Sequence, residues 1–144
     1  IVPSLFPQNA QNQSDLEGAS VEVIGWGKAF AFLITGVDAS WTDPLTVLLL
    51  ESSDDGSSWS TVTSSAYSGT GTTGLPQGND HLKVWGWTID LRAVNKRYLR
   101  IATASTANSG ATYLAGGFVL LDPDTFPNTD AERGCEACKT ITSA

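Results

Sequence analysis

The residues of this 144-residue chain that could do chemistry are two cysteines, one histidine and a few neighbouring carboxylates. Cys135 and Cys138 are spaced C-x-x-C, which supplies at most half of a four-ligand zinc site, and His81 lies far away in sequence. A thioredoxin-like redox site would need a βαβ pattern, which the chain lacks. Three readings stay open for the pair: free thiols, disulfides within or between tails, and a zinc site shared between symmetry-related copies. The carboxylates Asp54-Asp55, Asp122/Asp124 and Glu132/Glu136 fall in turns or the tail, where solvated side chains are expected. No G-x-S-x-G elbow, glycine-rich phosphate loop or H-E-x-x-H is present. The chain therefore reads as a non-enzyme, with no catalytic residue, no cofactor and no metal site assigned.

The strongest local signal is a hairpin over Leu45 to Val62, LTVLLLESSDDGSSWSTV. Asp-Gly between two β-rich runs marks a tight turn, because glycine accepts the positive φ such turns require. The spacing Ser52-x-Asp54-x-Gly56-x-Ser58-Trp59 resembles the Asp-box hairpin of many unrelated β proteins. There, acidic and hydroxyl side chains tie down turn amides and an aromatic packs beneath, so these five residues are assigned a structural role. Calcium at Asp54 and Asp55 would need about six to eight oxygens, more than the nearby acids supply.

Composition sets the frame for that hairpin. A chain of this length suits one domain, burying roughly two thirds of its unfolded surface. A net charge of −7 argues against nucleic acid, whose phosphates call for a basic face, and against anionic membrane surfaces. No apolar run reaches the ~18 residues of a spanning helix, and the N-terminus lacks a secretory pattern, so a soluble protein is expected. Beginning at Ile1 and containing no methionine, the chain reads as a processed or trimmed product. Abundant Ser, Thr and Gly with five Trp favour strands joined by polar turns.

Along the chain, Ile1 to Gly18 carries Pro3 and Pro7 and reads as an extended arm. Its Ile1, Val2, Leu5 and Phe6 are apolar handles for another chain. Ala19 to Pro123 reads as the folded domain. Ala19–Trp26 and Lys28–Val37 are apolar at nearly every position, which predicts burial on both faces. Ser64 to Asp80 is a glycine-rich loop, and Tyr67, Leu75 and Asn79 within it are candidate inter-chain contacts. His81 to Leu91 alternates so that Trp85, Trp87, Ile89 and Leu91 share a face, as core or as a stacking platform. Lys96, Arg97 and Arg100 form a basic edge that either is solvated or bridges to an acidic neighbour. Gly116 and Gly117 mark a bulge or a close backbone approach. Residues 124–144 read as an irregular C-terminal tail. About eight antiparallel strands at regular spacing make an all-β sandwich, and a jelly roll is its natural eight-stranded form.

The stretches LLLESSDDGSSWSTV, KRYLRIATAST and YLAGGFVLLDP together resemble the small jelly-roll cement or decoration proteins of tailed-bacteriophage capsids. The resemblance spans about Ala19 to Pro123, and the C-x-x-C tail is not part of the family pattern. It implies a structural virion protein on the outer capsid surface. Such proteins commonly form homotrimers at three-fold positions and clamp subunits of the major capsid protein. A static clamp of this kind gains affinity through repetition. The rival is a carbohydrate-binding or receptor-binding jelly-roll module, because SDDGSSW is also similar to a hairpin of discoidin-like domains and Trp41, Trp85 or Trp87 could stack on sugar. A tail or neck component of the same virion is a third reading. Tryptophan exposure discriminates: a sugar-binding module leaves a tryptophan face open, and a cement protein buries its tryptophans.

Overall fold

The computed structural model describes residues 1–9, 16–36, 45–69, 74–77, 80, 82–104, 113–121 and 137–141. Among them are strands β1 (Val2–Asn9), β2 (Leu16–Glu17), β3 (Val21–Glu22), β4 (Lys28–Thr35), β5 (Val47–Ser53), β6 (Ser60–Thr61) and β7 (Val84–Asp90). The short helix α1 (Leu91–Val94) follows, then β8 (Tyr98–Ala104), β9 (Tyr113–Leu121) and β10 (Ala137–Ile141). They form two sheets, β1-β9-β4-β7-β10 and β2-β8-β5-β6, with β3 also on β8. The protein is an all-β sandwich.

Apart from β10, the pairing follows one rule: β1 to β5 pair antiparallel with β6 to β9 in reverse order. β1 pairs β9, β2 and β3 pair β8, β4 pairs β7, and β5 pairs β6. Successive pairs alternate between the two sheets, and the β5–β6 hairpin is the fold-back point of this ribbon.

Alternation decides what faces inward. On β4, KAFAFLIT, Ala29, Ala31, Leu33 and Thr35 are buried while Lys28, Phe30, Phe32 and Ile34 face out. On β7 the buried inner residues are Trp85, Trp87 and Ile89, which meet Leu48, Leu50, Leu99 and Ile101 of the other sheet in one core. The expectation that both faces of β4 are buried is half right: its outer face is apolar but partly open. Phe30 and Phe32 stack there with ring centroids 6.3 Å apart. Phe32 stands in register between Gly86 and Gly117 of the two neighbouring strands.

The N-terminal stretch is not an arm. Val2–Asn9 is an edge strand, Leu5 is a core residue, and Ser4 ties the strand to the opposite sheet. The Ser4 hydroxyl donates to the Ala19 carbonyl (2.8 Å), and the Ala19 amide donates to the Ser4 carbonyl (2.6 Å). Pro3 and Pro7 are compatible with strand structure because an edge strand has one unpaired side, where a missing N–H costs nothing. Irregular register around Leu5 lets the strand absorb them.

Two further expectations are corrected. The tail is not wholly irregular: Ala137–Ile141 adds β10 to β7 in parallel, so the sheet is not purely antiparallel. Only five residues long, with small Ala137 and β-branched Thr140 and Ile141, it offered too short a pattern to read. Tyr67 is not an inter-chain contact but a core residue, its hydroxyl donating to the Gly86 carbonyl at 2.7 Å.

Candidate functional site

The fold-back hairpin was expected to be held by Ser52, Asp54 and Ser58. It is held one residue further along. β5 keeps its pairing through Ser53, opposite Tyr98, so the turn begins there and Ser52 is a buried strand residue. The Ser53 hydroxyl accepts the Gly56 amide (2.9 Å) and donates to Asp55 Oδ1 (2.9 Å). Asp55 Oδ1 accepts the amides of Ser57 (2.8 Å) and Ser58 (2.7 Å). Gly56 has φ +74°. Gly56→Val is expected to cost about 1–2 kcal/mol through that φ alone, since a Cβ there meets only the Tyr98 ring at ordinary distance. Thermal unfolding checks it.

The amides of Ser58 and Ser57 and the Ser53 hydroxyl all bond the charged form of Asp55, holding its carboxyl far below the usual carboxylate range. A depressed folded value means the contribution is complete above the unfolded value near 4 and fades as pH falls toward the folded one. Asp55→Ala is therefore expected to lower Tm at neutral pH, with the gap to the parent protein narrowing below about pH 4. A gap that is constant with pH would contradict this.

Asp54, freed from the turn, pairs with Lys96 Nζ at 2.5 Å. Both adjacent carboxylates are thus committed, one to turn amides and one to an ammonium. Trp59 lies beneath the Arg100 guanidinium, 4.2 Å from it. Arg100 is gripped by Glu17 and Glu51 of its own chain, each at 2.6 Å, and Arg97 by Glu22 at 2.8 Å. The basic edge is thus neutralised within the chain rather than left to bridge to a neighbour.

Trp85 and Trp87 are fully buried, and their indole N–H groups donate to the Gly74 (3.0 Å) and Ser65 (2.8 Å) carbonyls. They are core, not a stacking platform. Leu75 is partly buried against the core. Asn79, His81, Trp41 and Cys135, with Asp122, Asp124, Glu132 and Glu136, lie outside the described residues. Cys138 occupies a β10 position level with Gly86. Asp80 is a buried carboxylate, but its Oδ2 accepts the Gln77 amide (2.9 Å) and its Oδ1 faces Lys83 Nζ (3.4 Å), an arrangement that fixes a loop.

Among the described residues, two surfaces stand out as places to bind something. One is the β1 edge, where Ile1 is 89 %, Phe6 60 % and Val2 36 % exposed. Val2 and Phe6 stand on a strand that Leu5 and Ser4 anchor, and Ile1 immediately precedes it. The other, which sequence reasoning missed, is a groove of about 350 Å³ at one end of the sandwich. It is lined by the loop from Val23 to Trp26, by Asp54 at the hairpin tip, and by Leu91, Arg92, Asn95, Lys96 and Arg97. The signal was available in the apolar Ile24 and Trp26 beside Gly25, but there the run looked like continuous strand. The described residues hold no cluster of three His, Cys, Asp or Glu side chains suited to a metal. No family model matches this chain, and neither a curated protein nor a solved structure matches it.

Proposed function

We propose that the chain is a non-catalytic docking module of a virion, a decoration protein that binds the outer surface of a phage capsid and clamps major capsid protein subunits, assembling as a homotrimer. We also infer that its sandwich is a jelly roll. Support for the latter is the ribbon pairing, in which four successive strand pairs roll alternately into two sheets.

The observation that carries the functional reading is the apolar β1 edge. Val2 and Phe6 are large apolar side chains held out from a strand that is itself locked into the core, with exposed Ile1 just before it, so little order is lost at the strand when a partner covers them. Trp85 and Trp87 are buried in the core and Trp59 lies under Arg100, which favours a clamp over a sugar-stacking face; of the described tryptophans, Trp26 stays open, at 46 % exposed. The resemblance in the sequence supplies the partner and the three-fold assembly.

Phe6→Glu tests the reading, because Phe6 is exposed and its replacement leaves Leu5 and Ser4 in place. The variant is expected to keep its Tm within about 2 °C while losing at least about tenfold in affinity for empty heads of its phage, as a rim-to-core charge would at an interface. Undiminished pelleting with heads would overturn the assignment of this edge.

A further inference from the structure

We infer that the free edge of β1 is closed to strand addition, so that this edge docks through side chains alone, with Phe6 entering an uncharged apolar socket on the partner protein. This deepens the docking reading and rests on it for the partner.

The backbone is the first argument. An exposed strand edge ordinarily offers a row of amides and carbonyls on which a further strand can pair. Pro3 stands opposite Gly117 of β9, and a Cβ placed on Gly117 would lie 2.7 Å from the Val2 carbonyl oxygen, so that oxygen is on the β9 side. Across a trans peptide the carbonyl and the following nitrogen point opposite ways. The Pro3 nitrogen therefore faces the free side, and it has no hydrogen to donate. The next acceptor is already used: the Ser4 carbonyl takes the Ala19 amide at 2.6 Å, and the Ser4 hydroxyl donates to the Ala19 carbonyl at 2.8 Å. Pro7 removes a second donor within the irregular register between Leu5 and Gln8. From Pro3 to Pro7 an arriving strand meets a missing donor, an occupied acceptor and another missing donor. A ladder needs the regular exchange of both.

Side chains are the second argument. Phe6 is 60 % exposed while Leu5, its neighbour, is 1 % exposed in the core. Leu5 thus fixes the backbone from which the Phe6 ring projects. The stretch IVPSLFP, Ile1 to Pro7, has no charged side chain in a chain that carries −7. A partner charge buried against it would lose hydration and gain no counter-charge, so the matching surface is uncharged. One preset aromatic ring is how an anchor fills a pocket at an interface, and presetting lowers the ordering cost of binding. Strand addition would instead draw its affinity from the main chain.

Two comparisons on the full chain test this. In sedimentation over about a hundredfold range of concentration, the parent is expected to stop at one discrete mass. Pro3→Thr/Pro7→Thr, with both amides restored, is expected to form larger species that keep growing with concentration. Pro3 and Pro7 are exposed, and an unchanged Tm verifies folding. In co-sedimentation with empty heads of its phage, Phe6→Ala is expected to weaken binding at least about tenfold, and Phe6→Leu, which keeps most of the apolar volume, less than about threefold. Open-ended growth of the parent, a proline variant that keeps the parent's mass, or undiminished binding by Phe6→Ala would each overturn the inference. Failure of the capsid reading is separately visible: the parent itself would stay off the heads, while the mass comparison would still decide whether the edge is closed.

Discussion

Gly116→Val is expected to be severely destabilising, costing about 3 kcal/mol or more out of a total stability on the order of 5–15 kcal/mol. Gly116 faces inward from β9, where a Cβ would sit 2.6 Å from the Phe32 carbonyl oxygen and 2.8 Å from Ile101 Cδ1. The first neighbour is backbone of a central strand and cannot move without breaking the β4–β9 ladder. The second is the tip of a side chain from the opposite sheet. Adding Ile101→Val, which removes that Cδ1, is expected to restore only part of the loss. Urea unfolding of the single and double variants measures both numbers. A Gly116→Val protein with parent-like stability would mean the two sheets are further apart here than described.

Trp87→Ala is expected to cost about 3–5 kcal/mol, the usual range for emptying a large aromatic site. The ring is fully buried, meets the Tyr67 ring edge-on at 5.4 Å between centroids, and donates from Nε1 to the Ser65 carbonyl at 2.8 Å. Trp87→Phe separates the contributions: it keeps most of the apolar volume but orphans the Ser65 carbonyl, and about 1–3 kcal/mol is expected. Near-UV circular dichroism should weaken in both variants. A Trp87→Ala protein that folds as well as the parent would return this side chain to the surface and revive the stacking-platform reading.

These two sites mark what the sequence could tell and what it could not. The alternation through Trp85, Trp87 and Ile89 was legible because a strand's period of two is written directly in residue types. Asp-Gly located the fold-back hairpin for the same local reason, although Ser53 and Asp55 do the work assigned to Ser52 and Asp54. That slip of one residue depends on how far β5 stays paired with β8, a contact between residues about fifty apart in sequence. Gly116 and Gly117 were recognisable as points of close approach, but what approaches them comes from β4, β8 and β1.

The N-terminal segment failed differently. Pro3 and Pro7 obey a local rule against strands, and the rule lapses on a sheet edge. Being on an edge is a property of the whole sheet. Arg100 shows the same limit: its spacing suggested a surface cation, while its partners Glu17 and Glu51 and the Trp59 face converge only once three strands are side by side. The groove at Ile24 and Trp26 needed the hairpin tip, the β3–β4 loop and α1 together, and no local pattern announces such a meeting.

As the proposed decoration protein of a capsid, the chain is expected to act by docking on an assembled shell. Its most direct test is the native mass of the chain by light scattering together with its co-sedimentation with empty heads of its phage. The account predicts a stable trimer that pellets with the heads to saturation and raises their melting temperature. A monomer that stays in the supernatant at molar excess and leaves that temperature unchanged would contradict it.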